Sequence, residues 1–323
     1  MNSGAAVTVV VPTRNAGAKF PSVLSAIVGQ RLDRPFEILI IDSGSTDGTV
    51  EFLRTQPVRL LEIPPADFDH GATRALGVRE ARGQIVVLTV QDAEPRDSLW
   101  LQPLVDAFDD RRVTGAYSRQ IARPDATPFA RARLRGWPAT ATASRTQRID
   151  DPAAFAAAAP PDRLRQMTFD NVSAAVRRSV ALEIPFRACR FGEDLDWAQR
   201  VLLAGHSIVY EPRSCVVHSH NRSLWYEFKR VYLDHQHLRR LIDLRTVPTL
   251  GAVAWQSAGG TIQLWREVGA DPALGLGGRL KWWALAPPYS ALQSLGQYLG
   301  ARSGGPSPGP VIRWMDRRIG DRV

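Results

Sequence analysis

The sequence predicts an α/β fold, in which helices cover both faces of a mostly parallel sheet, followed by a helical C-terminal appendage. In the first half of the chain, apolar runs of strand length alternate with segments of helical periodicity. The runs are rich in Val and Ile and are apolar on both faces, which is typical of strands in a buried parallel sheet. Beyond about residue 221 long segments with helical spacing take over.

The elements follow in a regular order. Strands are predicted at 7–11, 36–41, 58–63, 85–90 and 113–117, with helices at 20–28, 46–53, 72–81 and 99–108 between them. The pattern lapses over 121–165, which is either a mobile loop or a set of short helices. A regular pattern returns at 167–176. It is followed by a predicted helix at 193–204, short strands at 207–210 and 215–218, and a basic amphipathic helix at 224–242.

The chain of 323 residues is long enough for one large domain and an appendage. We expect an α/β domain over 5–221, a basic Trp-rich helical appendage over 222–302 and a flexible tail over 303–323. The two cysteines, Cys189 and Cys215, form no CxxC pair, so neither a disulfide framework nor a zinc site is predicted. No signal peptide is recognised at the start, and a cytoplasmic setting is expected.

Basic charge is concentrated at the C-terminal end. From Arg222 to Val323 there are 14 Lys and Arg against 7 Asp and Glu, which is +7 of the total +9, and six of the nine tryptophans lie there. This composition favours an anionic membrane surface as partner over nucleic acid, for which no motif is present. The alternative is a solvated helical appendage with the tryptophans in its core. Two uncharged stretches of 20 residues are interrupted by Gly, Pro, Gln, Ser and Thr, so we expect interfacial or packed helices rather than spans.

Polar side chains follow three of the predicted strands. They lie at 12–15, at 42–48 and at 91–92. Because ligands of doubly wound sheets bind beyond the carboxyl ends of the strands, we expect these residues to meet in one crevice. A dinucleotide fingerprint would need GxGxxG after the first strand, but "PTRNAG" contains Gly17 alone, and a P-loop is absent.

Five motifs, in order, resemble those of the inverting glycosyltransferases of family 2, which have the GT-A fold. They are "VVVPTRNAG", "ILIIDSGSTDGT", "HGATR", "LTVQDAEP" and "GEDLDWAQRVLLAGHSIVYEP". The resemblance covers about residues 7–220. The details "IDSGSTDGT", "DFDHGATR", "QDA" and "VVHSHNRS" are similar to the rhamnosyltransferase subgroup in particular.

The resemblance implies a donor site made of Pro12, Thr13, Asp42, Arg74, Gln91 and Asp92. The Asp42 carboxylate can accept the imide N–H of uracil or thymine, although capping its own turn is the alternative role. Arg74 is expected to pair with the diphosphate, and Gln91 to contact ribose or a phosphate-bound water.

The resemblance also implies a divalent cation, Mg²⁺ or Mn²⁺, bound through a DxD motif. Here Val90, Gln91 and Asp92 occupy the three positions, so only the last acid remains. Such ions need few protein ligands when phosphates supply the rest. His218 and His220 are the further candidate ligands, since residues i and i+2 of a strand share a face.

Asp194 is the expected general base, which takes the proton of the acceptor hydroxyl, and Glu193 is expected to support it or to bind the acceptor. Asp196 is the nearby competitor, and an acidic first helical turn is also ordinary dipole complementation. Five further residues are candidates for the acceptor or donor-sugar pocket: Asp69, His70, Asp170, Asn171 and Trp197. Trp197 can instead fill the core.

By resemblance, the expected reaction is transfer of L-rhamnose from dTDP-L-rhamnose to a glycan or polyprenyl-linked glycan of a cell-surface polysaccharide. The expected location is the inner face of the cell membrane, with peripheral attachment. Two alternatives stay open: a family 2 transferase that uses a UDP-hexose, and a non-catalytic sugar-nucleotide-binding protein of the same fold.

Overall fold

The computed structural model describes residues 5–189 and 191–319, which fall into two compact units. The first unit consists of Met1–Arg123, Trp137–Ala158 and Arg165–His218. The second consists of Pro124–Gly136, Ala159–Leu164 and Ser219–Val323. The predicted domain boundary near residue 221 lies close to this division, but two shorter segments of the first half also belong to the second unit.

The first unit is built on one mixed sheet. Its strands are β1 (Val7–Thr13), β2 (Phe36–Asp42), β3 (Arg59–Glu62), β4 (Ile85–Thr89), β5 (Glu94–Pro95), β6 (Val113–Ile121), β7 (Arg145–Gln147), β8 (Ser173–Arg177) and β9 (Ser207–Val217). The order across the sheet is β3-β2-β1-β4-β8-β6-β9-β5, with β7 paired to β9. The first four strands in this order are mutually parallel, β6 is parallel to β9, and β8 runs antiparallel to both of its neighbours.

Helices cover the sheet because their apolar faces match its buried strands. The helices of the first unit are α1 (Phe20–Val28), α2 (Thr49–Leu53), α3 (His70–Glu80), α4 (Leu101–Asp106), α6 (Pro152–Ala157), α8 (Arg178–Glu183) and α9 (Glu193–Leu203). Val9, Val11 and Ile40 are fully buried and pack with Phe20 and Leu24 of α1. The alternation of strands and helices read from the sequence is thereby confirmed.

The parallel register brings the site together at one edge. Thr13 at the end of β1 lies opposite Asp42 at the end of β2, and β4 runs parallel to β1. Their carboxyl ends, and the residues that follow them, therefore lie on the same side of the sheet.

The second unit is helical. Its helices are α5 (Pro128–Arg135), α10 (Leu224–Ile242), α11 (Leu250–Ala270), α12 (Leu276–Ser303) and α13 (Pro310–Ile319), and α7 (Pro160–Gln166) is divided between the units. Among the described helices none is both long and apolar enough to cross a membrane.

Several predicted boundaries need correction. The two short strands at 207–210 and 215–218 are one strand, β9, and β6 extends four residues beyond the predicted end at 117. The helix predicted from 46 begins at Thr49, because Gly48 has φ 89° and Asp47 accepts hydrogen bonds from the Thr49 amide and hydroxyl. The 303–323 tail is not flexible throughout, since α13 occupies 310–319 and buries Ile312 and Ile319; residues 320–323 lie outside the described part of the chain.

Close packing of α10 on α12 depends on small residues of α12. A Cβ added at Gly300 would lie 2.2 Å from the Tyr232 carbonyl oxygen, and one added at Gly296 would lie 3.2 Å from the Phe228 carbonyl oxygen. No side chain fits between these backbones without moving the helices apart.

We expect Gly300→Ala to destabilise the protein by about 1–3 kcal/mol, because the methyl group overpacks the α10–α12 contact. The matched control is Gly259→Ala in α11, where an added Cβ meets nothing within 4 Å. That change should be neutral or stabilise by up to about 1 kcal/mol through helix propensity. Urea unfolding of the two variants measures the difference, and equal effects would contradict the close packing.

Candidate active site

The loop after β2 is organised around a buried carboxylate. Asp42 Oδ1 accepts from the amides of Gly44 and Ser45 at 3.0 and 2.8 Å, and Oδ2 accepts from the Ser45 and Thr13 hydroxyls at 2.6 and 2.7 Å. Asp42 thus shapes the turn and ties it to β1, which is the alternative role considered above. Its role toward a nucleotide base stays a prediction, as do those of Thr13 and of the partly buried Pro12.

Gln91 joins the ends of β1 and β4. Its Oε1 accepts from the Arg14 amide at 2.8 Å, and its Nε2 donates to the Arg14 carbonyl at 3.2 Å. This pair of hydrogen bonds holds the Asp92 turn in place beside the loop after β1.

Asp92 lies partly exposed at this turn, and its Oδ1 is 3.7 Å from Nε2 of His218, directly after β9. Asp92, His218 and His220, two residues farther along the chain, each offer one ligand atom within 4.8 Å of the others. Two ligands about 2.1 Å from one ion can be at most about 4.2 Å apart, so the Asp92–His218 distance fits a shared cation. The pairing of Asp92 with the histidines was expected from the sequence, and their binding of metal stays a prediction.

The acidic pair opens α9. Gly192 takes the left-handed conformation (φ 77°) just before the helix, which turns the chain so that Glu193 and Asp194 form its first turn. Glu193 Oε1 lies 3.1 Å from the Arg74 guanidinium and accepts from Asn171 Nδ2 at 3.1 Å. Asp194 is partly buried; it accepts from its neighbour's amide, that of Leu195, at 2.8 Å.

The two carboxyls differ in acidity. Burial raises the pKa of Asp194 well above its ordinary value of 3.8, and the nearby charges of Glu193 and Asp170 add to this. Burial also works to raise the pKa of Glu193, but Arg74, His70 and Asn171 outweigh it and hold that pKa below its ordinary value of 4.5. Neighbouring groups whose pKa values are pushed apart are typical of acid–base sites.

The structure places the remaining candidates around this pair. Asp69 caps α3 by accepting from the Ala72 amide, and it also accepts from the Cys189 amide. His70 is exposed and lies close enough to Glu193 to lower its pKa. Asp170 and Asn171 are buried at the turn before β8, so they are not exposed pocket walls in the described structure.

Two expected roles need correction. Arg74 was expected to pair with the diphosphate, but its guanidinium is buried, pairs with Glu193 and donates to the His70 carbonyl. Trp197 was a candidate for stacking on a sugar, but it is fully buried, stacks on Phe186 and donates to the Ile184 carbonyl. Both side chains therefore lie in the interior of the described structure.

Sequence reasoning missed three residues that contact the candidates. Gln120 of β6 bonds to both His218 and Asp170, Trp137 donates to Asp170, and Arg123 donates to the Asp92 carbonyl oxygen. For Gln120 the sequence offered one signal: it is a polar residue two positions after Ser118, on the same face of the strand β6. Trp137 and Arg123 lie in the stretch without a clear pattern.

Known proteins of one family are similar to this chain in sequence. The family model described as Glycosyl transferase family 2 matches residues 8–160. The O-antigen chain rhamnosyltransferase RfbN of Salmonella typhimurium is 30% identical over 233 residues, 70% of this chain and 70% of that protein. WbaN of Salmonella anatum, with the same description, is 30% identical over 229 residues and the same shares.

Among solved structures, glucosyl-3-phosphoglycerate synthase from Mycobacterium tuberculosis, in complex with Mn²⁺, UDP and glucosyl-3-phosphoglycerate, is similar in fold. Its TM-score is 0.51 at 19% identity, over 77% of this chain and 83% of that chain. At that identity the likeness bears on the fold alone.

The family model and the two relatives define the class of the protein, which is a glycosyltransferase. Identity of 30% over more than two thirds of both chains places it more narrowly: the chain belongs to glycosyl transferase family 2. The family and the GT-A fold class expected from the sequence are confirmed.

We expect Arg74→Met to lower the free energy of unfolding by about 3–5 kcal/mol at pH 7, because it leaves the Glu193 carboxylate buried without its counter-charge. The loss should shrink as the pH falls toward and below 4.5, the ordinary pKa of this carboxyl. A carboxyl whose pKa is lower in the folded state than in the unfolded state stabilises the protein fully at a pH above the unfolded-state pKa. This contribution disappears as the pH falls through the folded-state pKa and the carboxylate is protonated.

The control is the double variant Arg74→Met/Glu193→Gln, which removes both charges and should recover most of the loss. Urea unfolding of the three proteins measures the coupling. A double variant no more stable than Arg74→Met would contradict a buried ion pair.

Proposed function

We propose that this protein transfers L-rhamnose, with inversion, from dTDP-L-rhamnose to a glycan acceptor of a cell-surface polysaccharide. The observation that carries the proposal is the 30% identity, over 70% of both chains, to two O-antigen chain rhamnosyltransferases. The motif details quoted above, "QDA" and "VVHSHNRS" among them, support the same subgroup.

In the proposed reaction the acceptor hydroxyl oxygen attacks the anomeric carbon while the bond from that carbon to the diphosphate oxygen breaks. The leaving nucleoside diphosphate keeps the electron pair, and the hydroxyl proton passes to the Asp194 carboxylate. A raised pKa makes Asp194 a stronger proton acceptor once it is ionised. Glu193, which Arg74 keeps charged, holds the Asp194 proton affinity high without competing for the proton.

A divalent ion is part of the proposal. Asp92 and His218 would hold it, with His220 as the third candidate. When bound, Mg²⁺ or Mn²⁺ would offset the charge that develops on the diphosphate. An imidazole ligand favours Mn²⁺, because Mg²⁺ prefers an all-oxygen shell.

The second unit supports attachment to an anionic membrane. On α11, Trp255 is 83% exposed and Ile262 is 47% exposed. The two acids between residues 250 and 299, Glu267 and Asp271, are paired with Arg135 and Arg131, while Lys281 lies exposed on α12. An apolar surface with Trp and uncompensated basic charge suits the interface of an anionic bilayer.

An apolar groove lies on the same unit. Its volume is about 560 Å³, and it is lined by Ile262, Trp265, Arg266 and Trp283. We therefore propose a lipid-linked acceptor and a peripheral location at the inner face of the cell membrane.

Asp194→Asn should lower kcat/KM for transfer by about 10²–10⁴-fold, the usual contribution of a positioned base. In the wild type, kcat/KM should rise as the pH rises through the raised pKa of Asp194, because the base must be ionised. The matched control is Asp196→Asn, in the same helical turn, whose carboxylate pairs with Arg200. The pH–rate profiles of the wild type and both variants measure these effects, and Asp196→Asn should keep the wild-type profile. The mechanism is wrong if Asp194→Asn keeps wild-type activity.

A donor panel tests the sugar and the metal together. With Mn²⁺ we expect faster transfer or hydrolysis of dTDP-L-rhamnose than of UDP-hexoses. Asp92→Ala should lower this rate by at least about 10–100-fold. Asp33→Ala, which removes an exposed carboxylate paired with Arg34, should change nothing. Preference for a UDP-sugar would overturn the rhamnosyl assignment, and no turnover of any donor would favour a non-catalytic binding protein.

Vesicle sedimentation tests the membrane surface. The protein should bind phosphatidylglycerol vesicles more strongly than phosphatidylcholine vesicles, and added salt should weaken the binding. Trp255→Ser/Ile262→Ser should reduce it several-fold, whereas Leu99→Ser, at an exposed apolar residue of the first unit, should not. If both variants bound the vesicles equally well, the exposed face of α11 would not be the membrane contact.

A further inference from the structure

His218 is held between two groups. Its ring Nδ1 lies 3.2 Å from Gln120 Oε1, and its Nε2 lies 3.7 Å from Asp92 Oδ1. In a neutral imidazole one nitrogen carries hydrogen and the other carries a lone pair, and only the latter can bind a metal. Which nitrogen is available therefore depends on what Gln120 presents to Nδ1.

The orientation of Gln120 is set by Asp170. Three N–H groups point at this carboxylate: the Val172 amide donates to Oδ1 at 2.9 Å, and Gln120 Nε2 and Trp137 Nε1 each donate to Oδ2 at 2.6 Å. An indole or a backbone amide can only donate, so the carboxylate must accept. Gln120 must then turn its NH₂ group toward Asp170, because its oxygen would face another acceptor.

This orientation determines the tautomer of His218. With its NH₂ group on Asp170, Gln120 presents its oxygen to the ring, and a carbonyl oxygen only accepts. Nδ1 of His218 must then carry the hydrogen, so in the neutral ring the lone pair lies on Nε2, the nitrogen nearer to Asp92. Gln120, Asp170 and His218 are all buried, so breaking any of these hydrogen bonds would leave a polar group without a partner.

We propose that Gln120, oriented by Asp170, is a positioning residue that fixes His218 with an unprotonated Nε2 toward Asp92, so that the two can share a divalent cation. A nitrogen lone pair and a carboxylate oxygen 3.7 Å apart can both bind one divalent cation that lies between them. This inference rests on the metal-dependent transfer proposed above. It adds the residues that prepare the ligand before the metal arrives.

The first test needs neither metal nor donor. In protein labelled with ¹⁵N-histidine, long-range ¹H–¹⁵N NMR correlations distinguish the two neutral tautomers from each other and from the charged ring. The His218 signals are those that disappear in His218→Gln. We expect the Nδ1–H tautomer in the wild type; the Nε2–H tautomer would overturn the proposal whatever reaction the protein catalyses.

Gln120→Met tests the link itself, because it keeps the volume and removes the acceptor. We expect loss of the Nδ1–H preference and a Kd for Mn²⁺ weakened by about 10–100-fold, measured by electron paramagnetic resonance with saturating dTDP. The matched control is Gln147→Met. Gln147 is equally buried in the same unit, accepts from the Tyr117 hydroxyl and donates to two backbone carbonyls, and does not contact His218.

Gln147→Met should leave the His218 tautomer and the Mn²⁺ affinity unchanged, even if both variants lose stability. The proposal is wrong if Gln120→Met changes neither quantity, or if Gln147→Met changes both as much. A wild-type protein with the expected tautomer that turns over no donor would leave this inference standing and overturn only the proposed function.

Discussion

The ion pair between Arg74 and Glu193 is the interaction on which the candidate site depends. Two adjacent carboxyls, one buried and one partly buried, cannot both be charged at the start of α9 without a counter-charge. By holding Glu193 as a carboxylate, Arg74 allows its neighbour Asp194 to be the group with the raised pKa. The Arg74 guanidinium is therefore occupied by Glu193, beside the carboxyl that we propose as the base.

The turn before β8 joins the two chemical parts of the site. Asn171 donates to Glu193, on the side of the base. Its neighbour Asp170 accepts from Gln120, which in turn contacts His218 on the side of the metal ligands. Because this one dipeptide contacts both groups, a shift of the turn would move both the proposed base and the proposed metal ligands.

The reduced metal motif makes structural sense. Where two acids are usual at the end of β4, this chain has only Asp92, and the residue before it, Gln91, uses its amide to join the backbone at Arg14. The second ligand that we propose is His218, the residue directly after β9. One carboxylate and an imidazole carry less negative charge than two carboxylates, so the diphosphate of a donor must contribute more of the charge that holds a cation.

The sequence by itself determined the alternation of strands and helices and the family to which the chain belongs. The helices at 20–28 and 224–242 were predicted to the residue, since their periodicity depends only on neighbours along the chain. The motifs also predicted that Asp92 and the histidines at 218 and 220 share a site, and these side chains do lie close together. Only the tertiary structure decided that Arg74 bonds to Glu193, that Trp197 is core, and that Gln120 orients His218. These contacts join residues far apart in sequence, 98 positions in the last case, and no local pattern encodes which distant side chain will meet which.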